Sequence, residues 1–151
     1  LMLNNFNSVW QENFAEEAEK KGKSIYETIT IAAMIEKEAM VAKDRPTISG
    51  VIDNRLRIGM PLQIDATVIY ALGKHKETVY TSDLLVDSPY NTYKYNGLPP
   101  GPIASPGKAS IEAALNPEKH DYFYYLAKGD GSHYFAKTHD EHLRAKAKYI
   151  D

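Results

Sequence analysis

The chain has 151 residues and a formal net charge of −2, enough for one well-filled core and too short for two. Hydrophobic residues make up 43% and charged residues 25%, a globular composition, and no Lys/Arg block supplies the cationic surface that nucleic acid requires. Cysteine is absent, which excludes disulfides and thiol catalysis.

No apolar run approaches the roughly 20 residues that span a bilayer. The opening stretch from Leu1 to Asn5 reads as the edge of an excised domain, with any anchor or targeting segment expected upstream. Aromatic residues make up 11% and are mostly tyrosine, a side chain suited to flat, hydrogen-bonding grooves as well as to cores.

In chain order, Phe6, Trp10, Phe14 and Ala18 recur at four-residue spacing and predict an amphipathic N-terminal helix that Gly22 ends. Ser24 with Glu27 three residues on has the form of a capping box and starts a second helix, expected to run to about Ala42. Asp44 then opens a third, with Pro46 in its first turn and Gly59 at its end. Asp65 is a candidate cap for a short helix ending near Gly73. "SPYNTYKYNGLPPGPIASPG", residues 88–107, holds five prolines and three glycines in twenty residues, which excludes a regular helix or a central strand. A loop this long is functional or disordered, and its tyrosines argue for order. A helix follows from Lys108 to Leu115, then "DYFYYLAK" and "SHYFAK" flank Gly129-Asp130-Gly131 as a β-hairpin, and Thr138 to Tyr149 form a last helix.

Two carboxylates stand out in the second helix. At about 100° per residue, Glu36 shares its face with Ile29, Ala32, Ala33, Ala39 and Met40, whereas Glu38 falls nearly opposite, beside Glu27, Ile31 and Met34. A carboxyl in a nonpolar setting is held protonated and can act as a general acid. The small alanines around Glu36 leave room for a substrate, so Glu36 is the expected acid and Glu38 is expected to face elsewhere. The bland alternative is that each pairs with an arginine or caps a loop.

"IAAMIEKEA", "ISGVIDNRLRIGMPLQIDATVIYALG" and "DSPYNTYKYNGLPPGPIASPGKASIEAALNP", in this order and spacing, resemble the catalytic domain of the YceG-like family, the MltG-type endolytic murein transglycosylases of bacteria. The likeness runs from about Ile25 to Ile150. It implies a mainly helical α+β domain, lysozyme-like and similar to the SleB-type spore-cortex-lytic enzymes, with a small hairpin sheet and a long Pro/Gly-rich loop. Those enzymes place an asparagine-arginine pair eighteen residues after the acid, and counting back from Asn54-Arg55 reaches Glu36.

The chemistry implied is cleavage of the MurNAc-GlcNAc β-1,4 bond of peptidoglycan without water, one glutamate serving as acid and then as base. Expected sugar-binding residues are Gln63, Asp65 and Thr67 at the start of the short helix, against simple capping. Tyr90, Asn91, Thr92 and Tyr93 are candidates for stacking and hydrogen bonding, against loop packing. Gly97, Leu98 and Pro99 begin a rigid wall reaching Pro102. Glu38, Asn54 and Arg55 are supporting residues, Arg55 holding a loop or a carboxylate. No cofactor or metal is expected: His139 and His142 lie one turn apart, with His133 as a third candidate, but they make no strong zinc signature. The expected partners are glycan strands and cell-wall synthesis proteins, at the extracytoplasmic face of a bacterial membrane reached through a segment outside this chain. Two other readings stay open: a muramidase-type hydrolase in which Asp65 or Glu38 positions water, and a noncatalytic peptidoglycan-binding or scaffold domain.

Overall fold

An isoleucine-rich helix forms the centre of the molecule. The structure is a computed structural model that describes residues 14–74 and 79–149; Phe6 and Trp10 of the expected N-terminal helix lie outside them. Within them, α1 spans Ala15–Lys20 and α2 spans Ile25–Glu38. Ser24 caps α2 as its sequence predicts, its hydroxyl accepting from the Glu27 backbone N–H at 3.0 Å. Ala32, Ala33, Met34 and Ile35 are fully buried. Thr28 and Thr30, also buried, return their hydroxyls to the Ser24 and Tyr26 carbonyls at 2.9 and 2.8 Å, so polar side chains enter the core without an unmet donor.

The helix ends at Glu38, earlier than expected, because Ala39 adopts an extended backbone with ψ 122°. A short 3-10 turn, Ala42–Asp44, leads into α3, Arg45–Ile58, with Pro46 in its first turn. Gly59 closes α3 at φ 74°, a left-handed conformation that costs glycine little. The fourth helix, α4, spans Asp65–Leu72, and after a 3-10 turn at Thr81–Leu85 α5 spans Lys108–Leu115. The principal partner of α2 is α5. Ile48, Ile52, Leu62, Ile64, Ile111 and Leu115 fill the space around the pair. Burial of such side chains contributes roughly 1.5–3 kcal/mol each.

Strands β1, Tyr124–Ala127, and β2, His133–Ala136, pair antiparallel, with Ala127 opposite His133 across the turn. Helix α6, His139–Tyr149, packs against both strands. The fold is thus mainly helical with one small antiparallel sheet, and among the described residues no helix is long and apolar enough to cross a membrane.

Buried polar pins hold the Pro/Gly-rich loop in place. The Asn91 amide, fully buried, donates to the Leu84 and Val86 carbonyls at 2.9 Å each. Thr92 Oγ1 accepts from the Ile64 N–H at 2.8 Å and lies 2.9 Å from Thr67 Oγ1. Replacing Thr92 with Val keeps the shape and strands the Ile64 N–H in a dry site, while Thr67 Oγ1 keeps its bond to the Ile64 carbonyl at 2.7 Å. Urea denaturation should then report a loss of about 1–3 kcal/mol; an unchanged midpoint would mean that these bonds are dispensable.

Candidate active site

A cleft of about 510 Å³ opens where the C-terminal end of α2 meets the start of α4, the loop carrying Tyr93, and the hairpin. Glu38, Gln63, Asp65, Tyr93, Tyr125 and His133 are among its lining residues. Glu38 is the last residue of α2, so the chain turns away beyond it and its side chain reaches the cleft. Tyr125 donates its phenolic hydrogen to Glu38 Oε1 at 3.0 Å. Part of the Glu38 side chain remains accessible, but its carboxyl is desolvated. Burial raises its pKa to about 7; the Tyr125 hydrogen bond opposes the shift and the nearby Asp65 charge reinforces it. The Tyr125 phenol is itself pushed well above its usual value, chiefly by burial, and stays a neutral donor.

Around this acid the cleft is braced by hydrogen bonds. Tyr93 donates its hydroxyl to Asp65, and burial, followed by the bond to Asp65, raises the Tyr93 pKa. Gln63 holds φ 52°, a left-handed backbone uncommon outside glycine and frequent at functional sites. Asp44 accepts from the His133 N–H at 3.1 Å and lies 3.1 Å from His133 Nδ1, both side chains nearly buried, so the start of β2 is tied to the turn before α3. Arg55, only 6% exposed, donates to the Phe123, Pro61 and Leu62 carbonyls at 2.7, 2.9 and 2.9 Å.

Glu36 occupies a different environment. Its Oε1 accepts from the Gly107 N–H at 2.8 Å and from the Ser110 hydroxyl at 2.9 Å. Gly107 is the N-cap of α5 and has no side chain to cap with, so Glu36 supplies the anion that a helix N-terminus favours. The bond from Gly107 lowers its pKa, against desolvation, with help from Ser110 and Arg45. The nonpolar, protonating pocket expected for Glu36 is therefore corrected: Glu38 has it. Likewise Glu38 does not face away from the cleft: the two glutamates point to different surroundings as the helical projection predicts, but the cleft lies on the Glu38 side.

A sequence profile of the YceG-like family matches residues 1–148. The chain belongs to the YceG-like family. It is similar to the endolytic murein transglycosylase of Bacillus subtilis (strain 168), 51% identical over 149 residues, covering 99% of this chain and 41% of that protein. The endolytic murein transglycosylase of Streptococcus pneumoniae serotype 2 (strain D39 / NCTC 7466) is 38% identical over 137 residues, 87% of this chain and 25% of that one. The chain thus spans less than half the length of these YceG-like relatives. The crystal structure of a yceG-like protein from Listeria monocytogenes superposes with a TM-score of 0.86 at 51% identity, over 89% of this chain and 44% of that one.

The remaining sequence-predicted residues of this YceG-like chain divide clearly. Gln63, Asp65 and Tyr93 line the cleft with Glu38 and Arg55. Thr67, Asn91 and Thr92 are fully buried pins, and Asp65 is not a cap, since Ile64 occupies that position without a side-chain bond. The Tyr90 and Tyr70 rings meet at a 48° tilt with centroids 4.7 Å apart, and Gly101 lies against the Tyr26 and Tyr90 hydroxyls. Gly97, Leu98 and Pro99 are not among the cleft-lining residues. Asn54 donates to the His120 and Tyr122 carbonyls at 3.0 and 2.9 Å. Among the described residues no cluster of three His, Asp or Glu has metal-holding geometry; His139 and His142 instead flank the Tyr124 ring. Tyr125 and the Asp44-His133 pair were missed. The tyrosine-rich hairpin was their signal, but only the tertiary packing reveals which strand end meets α2.

Asp65 should tune the acid. Asp65→Asn removes a charge that raises the Glu38 pKa. Ionisation of Glu38, followed by carboxyl NMR, should then shift to lower pH; an unchanged midpoint would remove Asp65 from the electrostatics of the site.

Proposed function

We propose that this chain carries the catalytic domain of an endolytic murein transglycosylase and that Glu38 is its acid and base. The observation that carries the reading is a single desolvated carboxyl with a pKa raised to about 7, held by Tyr125 in an open cleft. The relatives at 51% and 38% identity are endolytic murein transglycosylases, which supports the same chemistry. On this reading the helical frame is lysozyme-like and SleB-like, and the natural setting is the bacterial cell wall outside the membrane.

Protonated Glu38 gives its proton to the oxygen linking MurNAc C1 to the next GlcNAc. The C1–O bond breaks with its electron pair on that oxygen, and the GlcNAc leaves as an alcohol. The carboxylate thus formed takes the proton of the MurNAc C6 hydroxyl, whose oxygen bonds to C1 and closes a 1,6-anhydro ring. Glu38 ends protonated and no water is consumed. A pKa near neutrality suits a group that must first give and then receive a proton. Tyr125 orients the carboxyl, while Tyr93, held by Asp65, offers a ring to the glycan.

The presence of Asp65 in the same cleft favours one alternative, a muramidase in which Asp65 activates water, since hydrolases pair two carboxylates. Mass spectrometry of digested glycan strands separates the two: anhydro-MurNAc ends lack one water relative to reducing ends. Reducing ends as the product would overturn the transglycosylase reading, and binding without any product would favour a noncatalytic domain.

A further inference from the structure

One part of the cleft gathers basic side chains that form no ion pair among the described residues. His139, His142 and Lys146 all line it from α6, at the i, i+3 and i+7 spacing of a single helical stripe. Tyr124 stands beside them, its ring 5.6 Å from His139 and 5.2 Å from His142, centroid to centroid. The Arg55 guanidinium carbon lies 5.1 Å from the Tyr124 centroid.

Arg55 is nearly buried, yet the hydrogen bonds of its Nε and Nη1 go to uncharged carbonyls. Neither Arg55 nor Lys146 forms an ion pair among the described residues. Burial, with the nearby Lys146, His139 and Arg55, lowers the His142 pKa, and His142 Nδ1 is buried with no hydrogen-bond partner among the described residues. A buried guanidinium without a carboxylate is costly, and an arriving anion would meet converging donors in a partly desolvated cleft, where charge-assisted bonds are strongest.

We propose that Arg55, His142 and Lys146 form a subsite for a carboxylate of the peptide stem that peptidoglycan carries on the lactyl ether of MurNAc. The inference rests on the glycan-cleaving function above, and it adds a recognition element to it. The stem leaves the sugar ring as an anionic chain, and Tyr124 offers its backbone a flat apolar face next to the cations.

Binding to the Glu38→Gln form of the chain tests this without requiring turnover. Two ligands are compared: glycan strands with intact stems, freed of anionic wall polymers, and the same strands after an amidase has removed the stems and the lactyl carboxylates that it exposes have been capped as methylamides. The stem-bearing strands should bind about ten-fold more tightly, and added salt should erode the difference. In a Lys146→Glu background the ratio should fall to about one, while Lys146→Arg should keep most of it. Equal binding of the two ligands, or a preference that survives Lys146→Glu, overturns the subsite. Failure of the transglycosylase reading would appear separately, as a lack of anhydro ends when the unsubstituted chain digests either ligand.

Discussion

Glu38→Gln is expected to lower cleavage of glycan strands by about 10²–10⁴-fold, the range typical for loss of a general acid, while making the fold more stable above neutral pH. The stability effect follows from the direction of the shift. The folded-state pKa of Glu38, about 7, exceeds its ordinary 4.5. The folded state therefore binds the proton more tightly than the unfolded state. Its contribution is fully present below about pH 4.5 and is lost as pH rises towards 7. At pH 8 the unsubstituted chain carries an ionised carboxylate in a desolvated site, whereas glutamine carries none and still accepts from Tyr125. A gain of about 1–3 kcal/mol is expected there, vanishing towards pH 4.

Glu36→Gln should behave in the opposite way. Most activity should remain, and stability should fall by about 0.5–1 kcal/mol at neutral pH because α5 loses the charge at its N-terminus. Activity assays together with denaturation at two pH values separate the pair. An inactive Glu36→Gln chain beside an active Glu38→Gln chain would reverse the assignment.

Gly50→Ala carries the largest expected loss of stability. A Cβ on Gly50 would collide with the Glu118 carbonyl and the His120 ring. Neither can move freely: His120 Nε2 bonds the Thr47 carbonyl at 2.9 Å, His120 Nδ1 accepts from the Tyr122 N–H at 3.0 Å, and the Glu118 N–H bonds the Pro46 carbonyl at 3.0 Å. Overpacking against backbone costs about 2–4 kcal/mol, a fall in melting temperature of about 5–15 °C for a chain of this size. A melting temperature within about 2 °C of the original, an effect of at most about 1 kcal/mol, would contradict this packing. The same seam positions the hairpin, because Asn54 and Arg55 hold the 120–123 carbonyls just before β1. The surviving folded fraction of Gly50→Ala should therefore show a lower Glu38 pKa, as Tyr125 and its strand loosen and water reaches the carboxyl.

Local chemistry made much of the fold legible. The Ser24 cap, the Gly59 and Gly73 termini, the hairpin around Asp130 and the α5 boundaries each depend on interactions within a few residues, and they occur where the sequence predicts them. The order within the Pro/Gly-rich loop was also legible in kind, but the residues that create it were not. Asn91 and Thr92 look like sugar ligands from their functional groups, and only burial identifies them as pins.

The two glutamates mark the boundary between the levels. The sequence by itself determined that two carboxylates stand on opposite faces of a largely nonpolar helix, followed by Asn54-Arg55, and pointed to burial of at least one of them. Which one depended on tertiary structure alone. A helical projection separates the two glutamates but does not say which side will meet the cleft, whereas the packed fold sets Glu38 in the cleft lining and presents the uncapped N-terminus of α5 to Glu36. A helix N-terminus stabilises an anion, and a desolvated cleft stabilises a neutral acid. Those two environments come from elements distant in the chain, α5 and the hairpin, and their arrival divides the pair into a charged cap and a carboxyl that holds its proton more tightly.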